Sequence, residues 1–515
     1  MPNGTIDNKQ TLSVQPGELR TFLQALRSDI LKDVDTKLFK AIDSLVMELE
    51  LKQRKTKNGI TTKQLYHKDT EKPKELPPKE FVLRNSTLTN LWEVSHLSSV
   101  YNICLAIFLL MYLNITIFYS LDSQKLKKDL SVVLWTFGKF HIYAATWFGM
   151  MFSIIFLLYP IFRFWANTRL FVWKKRLYDS IFCFFFVIYQ FGLLLIPARI
   201  IVSYNLPPVS SFIILAEQAR LMMKTHAFVR ENASRALRYK PHQDGDKDEE
   251  ISKPCPEVQK LIYFLFAPTL VYRDHYPRTP IVRWRYVTWN FLQVLGCIIG
   301  AYIPCTYFIV DMFDKTGIEP IPLVNFMGIL ATSIFAGGIL MFLVFYGMFH
   351  CWLNAFAEML RFGDRMFYDD WWNCTSFAKY YRSWNMVVYD WLYSYIYRDM
   401  YTLLGQSRVG AMLVVFMISA IIHEYILAMC FKFVFPLLFF LFSSFGIILV
   451  FITRRRTSSF WNVFLWISMF QGWGILTVFY SLEWYARINC PRTLDSWLDY
   501  VVPRSFMCDV ISLPS

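Results

Sequence analysis

Hydrophobic positions along this chain follow two different patterns. Residues 1–97 are polar overall. Within them Leu19, Leu23, Leu26, Ile30, Val34, Leu38, Ile42, Leu45 and Leu49 recur every three or four residues, a spacing that predicts an apolar stripe on one helix face. Residues 52–80, rich in Lys, Thr and Pro, read as a linker. Further on, the apolar positions become continuous. Runs near 98–119, 131–159, 178–198, 288–309, 325–349, 411–431, 433–452 and 461–481 each approach the ~20 residues that cross a bilayer. A weaker run at 208–228 is interrupted by Glu217 and Arg220. Counting it, the pattern predicts an all-α, polytopic transmembrane helical protein of about nine spans, preceded by a cytosolic amphipathic helix. Three regions follow: 1–97 with the helix and linker, 98–485 as the membrane-embedded part, and 486–515 as a tail.

Composition agrees with a lipid-facing surface. The chain is 55% hydrophobic and 18% charged, against roughly 45–50% and about 25% in soluble domains. The net charge of +14 does not point to nucleic acid, because much of it flanks the apolar runs, where anionic headgroups and the positive-inside rule favour it. The basic segments 169–176, 230–238 and 454–456 all face the cytosol only if 208–228 crosses the membrane. A cytosolic N-terminus, cytosolic loops at 231–285 and 350–408, a luminal acidic loop at 311–319 and a luminal C-terminus then follow. Lys125, Lys127 and Lys128 run against this arrangement. The polar first ~95 residues hold no signal peptide, so the first apolar span acts as the insertion signal.

Cys104, Cys183, Cys297 and Cys430 lie inside apolar runs and read as buried thiols, not parts of a disulfide scaffold. Cys490 and Cys508 lie in the tail, where an oxidising lumen permits a disulfide between them. The sequons at Asn3, Asn85, Asn114, Asn232 and Asn373 fall in cytosolic or intramembrane segments and read as unused. On the N-terminal helix, Asp29, Asp33, Asp35, Asp43 and Glu48 are interspersed with lysines. This disfavours a helix lying on the membrane surface and favours pairing between chains, as a homo-dimer or homo-tetramer.

Two places carry candidate chemistry. His423, in Ser419-Ala-Ile-Ile-His423-Glu424-Tyr425, sits near the middle of the 411–431 run, with Ser419 one turn before it. An ionisable residue at that depth marks a functional site or a histidine bonded to a neighbouring helix. Lys139 and His141, at the second span, form a rival polar pair that packing or a water pocket explains. The second place is 350–408, with Phe367-Tyr368-Asp369-Asp370-Trp371-Trp372-Asn373, then Tyr380-Tyr381-Arg382-Ser383-Trp384-Asn385. So many Trp and Tyr suit the wall of an interfacial or buried site that takes an amphipathic ligand.

Here a resemblance becomes specific. Phe367, Tyr368, Asp370, Trp371, Trp372 and Asn373 resemble the F-Y-x-D-W-W-N signature of the sterol and diacylglycerol acyltransferase branch of the membrane-bound O-acyltransferase family. Trp384-Asn385 followed by an intramembrane His423 resembles the Asn/His pattern of the whole family. The stretches from Tyr263 to Pro280 and from His350 to Arg365 are similar to the sterol enzymes in particular. The likeness covers roughly residues 95–515.

The resemblance implies an endoplasmic reticulum enzyme that joins acyl-CoA to a sterol 3-hydroxyl. Its catalytic residues would be His423 as general base, with Asn385 and Trp384 completing the site. Arg382, Tyr397, Arg408 and Ser419 would contact acyl-CoA. A neutral histidine is suited to such a role near pH 7. Acyl-CoA is then a co-substrate, and no resident cofactor or metal is implied; sterol and membrane lipid are the other partners. Diacylglycerol acyltransferase is the nearest rival. A transporter would use His423 on a proton or substrate path, but the sequence holds no inverted repeat. An inactive lipid-binding relative would have no need of both His423 and Asn385.

Overall fold

The computed structural model describes residues 77–94, 97–121, 127, 130–131, 134–239, 253–319, 321–490 and 496–508. The stripe from Leu19 to Leu49 and most of the linker lie outside the described residues. Among the described residues the chain is helical, with three isolated β-bridges and no sheet. The main helices are α1 (Thr87–Val94), α2 (Leu97–Leu121), α3 (Leu134–Phe171), α4 (Lys175–Ser203), α5 (Pro208–Arg238) and α6 (Val258–Phe266). There follow α7 (Trp284–Phe313), α8 (Leu323–Met359), α9 (Phe377–Ser383), α10 (386–403), α11 (Arg408–Phe431), α12 (Leu437–Ile452) and α13 (Ser459–Asn489). Six of them, α3, α4, α7, α8, α11 and α13, are long and apolar enough to cross a membrane, and α2 and α12 contain shorter apolar stretches.

Several helices outrun the apolar runs that predict them. α3 continues to Phe171 and α8 to Met359, past the expected ends at 159 and 349. α5 continues to Arg238, into the expected polar loop, and α13 reaches Asn489, past the expected start of the tail at 486. An apolar run marks what lipid can cover, whereas a helix persists for as long as its backbone bonds are met. Two expected buried thiols also differ. Cys430 is buried and Cys297 half-buried, but Cys104 and Cys183 are exposed. In a membrane protein both inside and outside are apolar, so an apolar run does not tell which way a small side chain faces.

The interrupted run 208–228 is the polar pin of the helical body. Glu217 accepts a hydrogen bond from Trp147 Nε1 at 2.8 Å and pairs with Arg220 at 2.7 Å. Arg220 donates to the Leu265 carbonyl, and fully buried Lys224 donates to the carbonyls of Phe264 and Ala267. Gln218 donates to the carbonyls of Leu193 and Leu194 and accepts from Tyr425 of α11. The side chains that weaken α5 as an apolar run are therefore those that bind it to α3, α4, α6 and α11. Buried polar groups must find such partners or incur several kcal/mol. Lys139, exposed near the start of α3, donates to the carbonyls of Tyr204 and Asn205.

The aromatic stretch 350–408 is mostly helix. Ser376 caps α9 by accepting from the Lys379 amide, and Asn385 caps α10 by accepting from the Val388 amide. The two stretches that resemble the sterol enzymes lie against each other: the Gly363 amide donates to the Pro277 carbonyl and the Thr279 amide to the Arg361 carbonyl, each at 2.8 Å. Glu358, buried, binds both Arg283 and Arg365. At the other end of the chain, Cys490 and Cys508 form a disulfide with Cα atoms 6.0 Å apart. Glu483 accepts from the amides of Arg504 and Ser505, tying the tail to α13.

α8 and α13 pack closely because glycines face each other's helix. A Cβ on Gly474 would stand 2.6 Å from Ile334 Cγ1 and 2.9 Å from Ile334 Cα, whereas one on Gly472 would meet nothing within 4 Å. Gly474→Val should lower the thermal midpoint in detergent by several degrees, consistent with about 1–3 kcal/mol of overpacking. Gly472→Val should leave it near the parent value. An equal fall in both variants would show that close approach is not the cause.

Candidate active site

The tryptophan-rich signature folds into a clasp. Phe367, Tyr368 and Trp371 are buried. The Tyr368 hydroxyl meets His350 Nδ1 of α8 at 2.6 Å, and its carbonyl accepts from Thr87 of α1. The Phe367 carbonyl accepts from the Met386 amide at 2.9 Å, and the Asp369 amide donates to the Ser383 carbonyl at 2.9 Å. Asp370 pairs with Lys379 at 3.0 Å, a hydrogen bond that holds the Lys379 ammonium above its usual range. The Trp372 carbonyl accepts from Asn462 and Trp466 of α13, and Asn373 is exposed at the edge of the clasp. These residues, read from sequence as candidate site wall, tie α1, α8, α9 and α13 into one frame.

The frame carries Trp384 and Asn385. The Trp384 ring packs edge-on against Trp371 at 4.6 Å and lies 5.4 Å from Phe345 of α8. Both rings restrict its rotation. Asn385 follows at the start of α10, with Oδ1 held by the Val388 amide at 3.1 Å. The Nδ2 amide makes no hydrogen bond to the described residues, so it is free to donate.

His423 lies about two-thirds of the way along α11. Its Nδ1 is 2.7 Å from the Ser419 carbonyl and 3.4 Å from Ser419 Oγ. A carbonyl only accepts, so this bond assigns the proton to Nδ1 and leaves the lone pair on Nε2. Nε2 makes no hydrogen bond to the described residues. Phe442 of α12 stacks on the imidazole at 5.2 Å with planes 20° apart. Tyr381 of α9 then packs on both Phe442 and Phe416, at 5.5 Å and 5.0 Å. The histidine is thus linked to the end of α9, where Trp384 and Asn385 lie, through two aromatic rings. His423 and Asn385 do not hydrogen-bond to each other.

Along α10, Tyr389, Tyr393, Tyr397 and Tyr401 stack in sequence, with ring centroids 6.1, 5.9 and 6.4 Å apart. Burial pushes the Tyr389 phenol up and the nearby Arg382 charge opposes it; Arg408 does the same for Tyr397. Arg382 and Arg408 are exposed. The four candidate contacts therefore divide: Tyr397 is a rung of the tyrosine ladder with Arg382 and Arg408 near it, and Ser419 holds His423.

Residues 88–482 match the family model described as MBOAT, membrane-bound O-acyltransferase family. That is most of the chain, and it includes the clasp, the ladder and His423. The chain belongs to the membrane-bound O-acyltransferase family. Among its relatives, sterol O-acyltransferase 1 of Cricetulus griseus is 39% identical over 99% of this chain and 94% of its own length. Sterol O-acyltransferase 1 of Mus musculus is 40% identical over 90% and 88%, and sterol O-acyltransferase 2 of Homo sapiens is 38% identical over 85% and 82%. Family membership makes the protein an acyltransferase of the membrane.

Sequence reasoning picked out Tyr393 among the aromatics of this stretch but did not single out Phe442, Phe416, Tyr389 or Tyr401. The ladder had a signal, four tyrosines at intervals of four. Phe442 had none, because phenylalanine is frequent throughout 433–452. Asn385 combines a cap oxygen with a free amide, and a substitution can separate the two. Asn385→Ser keeps a capping oxygen but has no amide donor. The variant should fold and assemble as the parent does, with turnover lowered about 10²-fold, the loss typical of one oxyanion donor. Parent-like turnover in a purified-enzyme assay would remove the amide from the chemistry.

Proposed function

We propose that the protein transfers an acyl chain from acyl-CoA to the 3-hydroxyl of a sterol, releasing a sterol ester and free CoA. The observation that carries this reading is the tautomer of His423: Nδ1 is committed to the Ser419 carbonyl, so Nε2 is the nitrogen that can take a proton. The full-length similarity to proteins named sterol O-acyltransferases supports the choice of acceptor.

The step is direct. His423 Nε2 takes the sterol hydroxyl proton as that oxygen attacks the thioester carbonyl. Negative charge develops on the carbonyl oxygen, where the Asn385 amide can donate. The carbon–sulfur bond breaks, the CoA thiolate leaves, and the imidazolium returns its proton to sulfur. Trp384, locked between α8 and the clasp, forms a rigid wall beside Asn385. Arg382 and Arg408 could pair with CoA phosphates, and the tyrosine faces between them suit the nucleotide. CoA is charged and enters from water, whereas a sterol arrives through the lipid, and His423 lies where the two routes meet.

The reading includes an endoplasmic reticulum membrane, a cytosolic N-terminus and a luminal C-terminus, a compartment in which a Cys490–Cys508 disulfide persists. It also includes self-association through the helix near residues 17–50 together with the membrane domain. Microsomes carrying the protein, given labelled oleoyl-CoA with cholesterol and diacylglycerol in parallel, should label the sterol ester. His423→Ala should abolish that label while expression is unchanged. Preferential labelling of triacylglycerol would overturn the acceptor, and near-normal turnover of His423→Ala would overturn the base.

A further inference from the structure

The residue after the histidine has no place in the chemistry just described, yet it is among the most carefully partnered in the helical body. Glu424 is buried. Successive helix positions point about 100° apart, so its carboxylate leaves α11 on a different side from the imidazole. Its Oε2 accepts from the Phe439 amide at 3.1 Å, and both its oxygens lie 3.2 Å from the Tyr480 hydroxyl of α13. That hydroxyl is also 2.9 Å from the Phe435 carbonyl.

The Phe439 amide belongs to the first turn of α12, where amides have no partner inside the helix. The residue before α12 is Pro436, which offers no side-chain cap. Glu424 is the cap instead, supplied from a different helix, at the end where the helix dipole favours an oxygen acceptor. Three residues further along α12 is Phe442, the ring that stacks on His423. The stretch Leu441–Gly446 is π-helical, a locally widened turn whose rotation neighbouring anchors must set. At its last residue, a Cβ on Gly446 would stand 2.8 Å from the Tyr381 hydroxyl. Phe442 is therefore held between an anchor at Glu424 and a close approach at Tyr381.

We propose that Glu424 is a positioning residue: by capping α12 it fixes the plane of Phe442 and, through that ring, the direction of His423 Nε2. The proposal rests on His423 as the base. It assigns Glu424 no proton of its own to transfer, because hydrogen bonding and not charge does the holding. A glutamine satisfies the same partners. Its Oε1 accepts from the Phe439 amide and its Nε2 donates to the Tyr480 oxygen, while the Tyr480 proton goes to the Phe435 carbonyl. An alanine leaves the Phe439 amide without a partner and Phe442 free to swing.

The test uses the purified full-length protein with saturating sterol, reading kcat and the KM for oleoyl-CoA. Glu424→Ala and Phe442→Ala should each lower kcat about 10- to 100-fold, the scale of a misplaced reacting group, with KM within about twofold of the parent. Glu424→Gln should stay within about threefold of the parent kcat. The double variant E424A/F442A should be no slower than the slower single variant, because both act through one ring. Where E424A does not accumulate as assembled protein, Glu424→Asp withdraws the carboxylate by one methylene and should show the same fall in kcat. Parent-like turnover of E424A or Glu424→Asp, multiplicative losses in the double variant, or a Gln variant as slow as the Ala variant would each overturn the proposal. His423→Ala run alongside separates the two ideas. If it is active, the base assignment fails; if it is inactive while E424A turns over normally, only the positioning role fails.

Discussion

A single backbone carbonyl constrains this site more than any other group. Inside a bilayer no bulk water is available to a histidine, so each ring nitrogen needs a partner or a substrate. The Ser419 carbonyl, one turn back on the same helix, takes Nδ1. That bond assigns the tautomer, and it also holds the ring near one rotation, against which Phe442 can stack. It has a second consequence. Ser419 Oγ lies near Nδ1, the protonated nitrogen, so in this tautomer the imidazole has no lone pair to offer the serine. A Ser–His nucleophile pair is thereby disfavoured, and direct attack by the acceptor alcohol is the step the geometry supports.

Holding a polar group at depth requires a rigid surround, and much of the chain's polar sequence provides it. Glu217, Gln218, Arg220 and Lys224 bind α5 to neighbouring helices through their backbone carbonyls or side chains. The tryptophan signature joins α8, α9 and α13 at a place where Trp371 supports Trp384. In both cases the partners come from segments far apart in sequence. Buried hydrogen bonds of this kind contribute only about 1 kcal/mol each net, but leaving one end unpaired costs more. They act as specifiers of one arrangement more than as sources of stability.

The all-α, membrane-crossing character was legible because lipid demands long apolar runs, and those runs coincide with helices. Helix ends were less legible, as at Phe171, Arg238 and Met359, because leaving the lipid does not end a helix. The 208–228 segment looked doubtful for the same reason that it matters: its polar residues serve neighbouring helices. At the site, His423, Asn385 and the signature stood out by chemistry and spacing. Glu424 was visible beside His423, but its partners Phe439 and Tyr480 are 15 and 56 positions away, a separation that no local pattern encodes. Cys104 and Cys183 show the converse failure, since an apolar neighbourhood in sequence covers both the packed and the lipid-facing sides.

In the reaction proposed for this protein the acyl chain passes directly from CoA to the alcohol, with His423 as the base and no acyl group held on the enzyme. Isotope exchange reads this most directly. The purified protein is incubated with oleoyl-CoA and labelled free CoA in the absence of any sterol or other acceptor. Direct transfer predicts that the label stays in free CoA, because without an alcohol the thioester is not opened. Label appearing in oleoyl-CoA at a rate comparable to turnover would mean that the acyl chain rests on the enzyme, and would contradict this account.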